Sequence, residues 1–242
     1  MALISGSQTI TTANLTDLLD GGASALHSHA IADDSIVEAK FDVSNGPAND
    51  YFLQAQSGEG GGLTWAAAGG NLVLINESVV ASNDADITVT GLGSTYDTYL
   101  ILLSDLIPVT DSAAARLRLG DSASGIHTGG SDYQYHIQRG KDTYTTYGPT
   151  ISSGASWIQF GAVGNATGEG YGAVLWLQQP GDATCRPLIS GTHAFGEFTG
   201  ELQGGAVVAA RKAVITLDRV QFFFETGNIT SGRMTVFGVK HG

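Results

Sequence analysis

The chain is short of cysteine, proline and positive charge: its 242 residues include one Cys, 5 Pro and 11 Lys plus Arg. A lone Cys185 excludes an intrachain disulfide framework and a Cys-rich zinc site, so nothing in the composition calls for an oxidising compartment. The 11 cations face 23 Asp plus Glu, giving a formal charge of −12. Such a surface repels phosphate backbones, and with no Lys/Arg cluster to offset it, nucleic acid is excluded as a partner. No apolar run approaches the ~18 residues of a membrane span, so no membrane insertion is expected. The opening Met-Ala-Leu-Ile-Ser-Gly has neither the basic stretch nor the apolar core of a signal peptide, which predicts a protein made in the cytoplasm without one.

What the chain has in excess is glycine. Its 34 Gly are about twice the usual share, and without a collagen period they indicate many turns. Residues 1–70 hold 8 acidic residues and Lys40 as the sole cation, with Gly-rich tracts at 21–22, 58–62 and 69–70. Their apolar residues are few and scattered, from Leu15 to Trp65. A segment so poor in apolar surface cannot offset its ordering entropy alone; it is disordered, or it folds only against copies of itself. Two brief helical signals occur in it, at Thr16–Leu19 and at Ser35-Ile36-Val37-Glu38, the second a capping box.

Beyond a boundary near Gly70 the pattern changes to short apolar or alternating runs separated by Gly, Asn, Asp and Ser. Strands are expected at Leu72–Ile75, Asp86–Thr90, Tyr99–Ser104, Ala115–Leu119, Tyr133–Arg139, Ser156–Ala162, Tyr171–Gln178, Arg186–Thr192, Ala213–Leu217, Gln221–Thr226 and Gly232–Val239. The alternation in Arg116-Leu117-Arg118-Leu119 gives one wet and one buried face. Ten or eleven strands without an amphipathic helix predict an all-β domain over 71–242: an antiparallel, jelly-roll-like β-sandwich, with a closed barrel as second choice.

Four groups could carry chemistry. His27 and His29, in Leu26-His27-Ser28-His29, project to one side of an extended chain. Three chains about a threefold axis would offer six imidazoles, an octahedral set for a divalent first-row metal, and binding would then be tied to assembly. The plainer reading of so short a pattern is two solvated loop histidines. Second, Tyr133, Tyr135, Tyr144, Tyr147 and Trp157 interleave with polar residues, as in sites where a ring covers the apolar face of a sugar. Tyr144 and Tyr147 fall between strands and Trp157 within the strand expected at Ser156–Ala162, and these three are the candidate ligand contacts; Tyr133 and Tyr135 fit packing on one strand face. Third, Glu197 and Glu201 are the closest carboxylate pair, the residue type of a glycosidase, although acidic Gly-rich sequence produces such pairs by chance. Fourth, Cys185 and His193 lack an orienting group or an oxyanion motif, and Gly58–Gly62 lacks the Lys of a phosphate loop; neither is read as a site.

Several of these segments resemble a known family. Leu18-Leu19-Asp20-Gly21-Gly22-Ala23-Ser24-Ala25-Leu26-His27-Ser28-His29 looks like the Asp-Gly-Gly…Leu-His-Ser-His stretch of tailed-bacteriophage fibre proteins. Asp34-Ser35-Ile36-Val37-Glu38-Ala39-Lys40-Phe41 resembles their Ser-Ile-x-x-Ala-Lys shaft units, and Asn45–Gln54 with Gly60-Gly61-Gly62-Leu63-Thr64-Trp65-Ala66 resembles their shaft-to-head joint. Tyr96–Leu100, Arg116–Arg118 and Gly227–Val239 resemble a C-terminal β-domain of phage structural proteins. The resemblance implies a structural, non-enzymatic virion protein. It would be a parallel homotrimer with residues 1–70 as an intertwined docking and shaft segment and 71–242 as the head. It further implies iron on the trimer axis at His27 and His29, attachment to other virion proteins through the N-terminal segment, and adhesion of the head to a host-surface glycan. A head fibre or capsid decoration protein, or a glycan-degrading tailspike, are the alternatives.

Overall fold

In a computed structural model the described residues are 43, 46, 49, 51–55, 63–67, 70–142, 148–182 and 184–240. The chain divides into two units, Met1–Gly69 and Gly70–Gly242. His27, His29 and both expected helical turns lie outside the described residues, as do Tyr144 and Tyr147.

In the first unit, β1 (Tyr51–Ala55) and β2 (Leu63–Ala67) form an antiparallel hairpin, and Val43 bridges Leu63 in parallel. Neither strand was among those expected from the sequence. Tyr51, Phe52 and Leu53 of β1 stand exposed; a two-stranded ribbon with its apolar side chains in water is marginal by itself.

The second unit is all-β, with no helix among its described residues. Its strands are β3 (Leu72–Ala81), β4 (Asp86–Thr90), β5 (Thr98–Pro108), β6 (Ala113–Asp121), β7 (Gly125–Ile126), β8 (Tyr133–Ile137) and β9 (Gly140–Lys141). There follow β10 (Thr150–Ala155), β11 (Ile158–Val163), β12 (Gly170–Gln178), β13 (Leu188–Gly196), β14 (Leu202–Arg211), β15 (Arg219–Phe224) and β16 (Ile229–Val239). One sheet runs in the order β10-β8-β14-β13-β12-β5-β16-β3, with the short β9 also on β14. The other runs β11-β6-β15-β4, with β7 on β6. Every ladder of both sheets is antiparallel.

The two sheets face each other as a sandwich because each strand alternates. Leu175 and Leu177 of β12 and Ile101 and Leu103 of β5 point inward to meet Leu117 and Leu119 of β6 and Val220 and Phe222 of β15, all buried. Each such side chain contributes roughly 1.5–3 kcal/mol by leaving water. Rings bridge the layers: Phe160 of β11 lies 5.4 Å from Tyr171 of β12, and Tyr171 stacks on Phe222 at 5.6 Å. The Tyr133 hydroxyl on β8 ties one sheet to the other, accepting from the Leu119 N–H at 2.9 Å and lying within donating reach of the Leu119 and His127 carbonyls. Tyr133 and Tyr135 therefore pack on the sandwich as strand residues, Tyr133 fully buried and Tyr135 partly.

The strand expectations fail at two places. Ala213–Leu217 alternates but is no strand: Leu217 plugs the core from a loop, its N–H bound to the Pro180 carbonyl at 2.6 Å. β14 was not among the expected strands, and its sequence carries Gly204-Gly205. Both glycines sit mid-strand, where a Cβ on Gly205 would be driven into the Gln138 carbonyl and one on Gly204 would come 2.7 Å from that of His193. Glycine here marks close backbone approach.

Candidate functional site

The outer face of the smaller sheet gathers the residues best suited to bind a ligand. Along β6 the alternation buries Ala115, Leu117 and Leu119 and turns Arg116 and Arg118 to the opposite face. On β15 Val220, Phe222 and Phe224 go inward, leaving Gln221 and Phe223 outside. Register then sets side chains abreast: Gln159 of β11 opposite Arg116, Arg116 opposite Phe223, Phe223 opposite Asp86; beside that row, Arg118 lies opposite Gln221 and Gln221 opposite Thr88.

Trp157 lies just before β11, and its ring is a shelf for guanidinium groups. The Arg116 Cζ stands 3.8 Å above the ring centroid and that of Arg118 5.5 Å from it. The Trp157 indole N–H and the Nε and Nη2 of Arg116 all donate to Gln159 Oε1, at 3.3, 3.2 and 3.1 Å. Arg116 also pairs with Glu225 at 2.5 Å and is 8% exposed, so its charge is spent within the fold.

Arg118 differs. Its Cζ lies 4.3 Å from the Phe223 ring, and its Nε donates to the Ser156 carbonyl at 3.2 Å. No carboxylate pairs with it among the described residues. Burial, and to a smaller extent the neighbouring Arg116, lowers its pKa from the usual arginine value. The result is a held, stacked guanidinium with its two terminal nitrogens uncommitted, the geometry that receives a carboxylate as a bidentate pair. Trp157 belongs to this cluster but is no open platform, since Arg116 covers one face of its ring.

The other sequence candidates find different settings. Lys141 bridges Glu197, at 2.5 Å, and Glu201, while the Thr199 hydroxyl contacts both carboxylates at 3.0 and 2.7 Å. Those hydrogen bonds, that of Glu197 foremost, raise the Lys141 pKa. Such an ion cluster is the opposite of the apolar pocket in which a glycosidase acid keeps its proton. His193 is in the core, 5.7 Å from the Phe195 ring and 5.6 Å from that of Phe160, and neither ring nitrogen meets a hydrogen-bond partner, the Cys185 sulfur included. Burial lowers its pKa to about 4.

A pairing the sequence did not suggest is His127 with Asp121, 2.8 Å apart. Arg211 donates to His127 Nδ1 at 3.1 Å and to the Asp132 carbonyl at 2.9 Å. These bonds fasten the 121–132 loop to the end of β14, and no nucleophile joins them. Among the described residues no three His, Cys, Asp or Glu side chains gather as a metal set. Arg118 and Phe223 are not among the binding candidates of the sequence; the Arg-Leu-Arg alternation is the available signal for one, and nothing local marks the other. No protein-family model matches the chain, and no curated protein matches it.

Proposed function

We propose that the protein is a homotrimeric tail-fibre protein of a tailed bacteriophage, carried on the virion, whose C-terminal domain adheres to host-surface glycan through the Trp157–Arg118–Phe223 face. The observation that carries the adhesion reading is Arg118: a stacked, partly desolvated guanidinium without a carboxylate partner, on a chain that is otherwise strongly acidic. Its complement is a sugar bearing a carboxylate, with Gln221 and Thr88 alongside to meet hydroxyls. The overall charge of −12 opposes an anionic ligand, but beyond roughly 8 Å physiological salt screens it, leaving the local guanidinium to dominate.

The head in this reading is a jelly-roll-like sandwich, and the trimer rests on an N-terminal segment with too little apolar surface to fold singly, intertwined as a shaft. His27 and His29 then bind iron on the axis, and the N-terminal segment docks to tail or baseplate proteins. A head fibre or capsid decoration protein would share the fold and assembly but dock to the capsid and lack the sugar contact.

The test is adsorption of labelled full-length protein to host cells and to acidic and neutral surface polysaccharides. Arg118→Gln should weaken binding to the acidic polysaccharide at least tenfold while leaving the melting temperature within a few degrees. Equal binding by wild type and variant would refute the site, and release of new reducing ends would establish the tailspike alternative instead.

A further inference from the structure

The central outward row of the larger sheet is uncharged from edge to edge; Arg233 of β16, opposite Ser104, lies two rows from it on the same face. Register aligns one outward row across all eight strands: Ile151 opposite His136, His136 opposite Val208, Val208 opposite Ser190, Ser190 opposite Trp176. The row continues from Trp176 through Leu100 and Phe237 to Leu74. To one side lie Ala206, Thr192, Val174 and Leu102; to the other, Ala210, Leu188 and Gln178. These three rows hold no Asp, Glu, Lys or Arg, and His136 is their one titratable group. Leu100 and Ala210 are covered, yet other side chains of these rows are in water: Ile151 is 66% exposed, Val208 58% and Leu74 48%.

We propose that copies of this chain cover this face, sheet against sheet, so that the head domains hold each other as well as the shaft. Charge selects the occupant. Two copies of −12 each repel wherever their carboxylates meet, and this face is where they approach without such contacts; a basic partner would instead seek the acidic surface. Size agrees. Seven strand spacings of ~4.8 Å make the long row about 34 Å wide, and the fifteen positions of the three rows, each ~4.8 by ~6.8 Å, give on the order of 500 Å² in flat projection. That is toward the upper end of what a monomer leaves bare, and standing side chains add area to the projection, toward the ~800 Å² per partner of a stable interface. The inference rests on the oligomeric part of the preceding reading and places the larger sheets toward the threefold axis, with the Arg118 face outward.

The experiment combines sedimentation equilibrium with hydroxyl-radical labelling of the whole protein. Val109 and Val214, each 46% exposed in the single chain and off the face, serve as internal references for Val208 and Ile151. The inference expects the two face residues to label several-fold less than the references, and Val208→Glu to restore labelling of Ile151 with an unchanged β-sheet circular dichroism spectrum. A trimer whose face labels as readily as the references would overturn this inference and leave the fibre reading standing. A dimer with a protected face would support the interface and overturn the trimer, and a monomer would overturn both.

Discussion

Acid should loosen this protein through one residue. His193 is buried among Phe160, Tyr171 and Phe195 with both ring nitrogens unpartnered, and burial holds its pKa at about 4 rather than the usual 6.5 or so. In the unfolded chain the same imidazole takes up a proton near pH 6.5. A depressed native pKa means that stability is fully present above pH 6.5 and is lost as pH falls toward 4, where the unfolded state binds the extra proton. A gap of about 2.5 units corresponds to roughly 3 kcal/mol. For a domain of this size that lowers the melting temperature by roughly 6–12 °C. The assay is thermal unfolding by circular dichroism at pH 7 and pH 4, at fixed protein concentration, on wild type and His193→Phe. Carboxylates titrate alike in both proteins, so the difference isolates the imidazole. Phenylalanine keeps the ring contacts and removes two desolvated nitrogens, so the variant should be as stable as wild type or more so at pH 7, and should lose markedly less at pH 4. Equal losses in the two proteins would refute the assignment.

Three other outcomes are expected. Gly161 on β11 faces the Phe195 ring so closely that a Cβ would be driven into it; Gly161→Ala should cost about 1–3 kcal/mol in urea unfolding, and adding Phe195→Leu should recover part of it. Tyr133→Phe removes the hydroxyl that joins β8 to the Leu119 main chain and should cost about 1–2 kcal/mol, read from the same urea curves. His27→Ala with His29→Ala should abolish bound iron in elemental analysis and lower the trimer's melting temperature; wild-type protein without a transition metal would remove that proposal.

Much of the head was legible because one-sided burial writes itself as alternation. Asp86–Thr90 is β4 to the residue, and Arg116-Leu117-Arg118-Leu119 turned its arginines outward as its pattern implies. What local pattern could not supply was register. Arg116 meets Gln159 across 43 residues and Glu225 across 109, so the Trp157–Arg118–Phe223 group exists only once β11, β6 and β15 are laid side by side. β14 went unpredicted, its mid-strand glycines serving close backbone contact, and apolar alternation misled at Ala213–Leu217, where a loop rather than a strand delivers Leu217 to the core. His193 is not a catalytic base by its sequence surroundings, and its ring of aromatic neighbours makes it a core residue.

The central claim is that this chain works as three, because its opening segment has too little interior to stand alone. Sedimentation equilibrium of the intact protein tests it most directly. Chains of 25.0 kDa should give a species of about 75 kDa that persists on dilution; a single species at the mass of one chain, at every concentration, would contradict it.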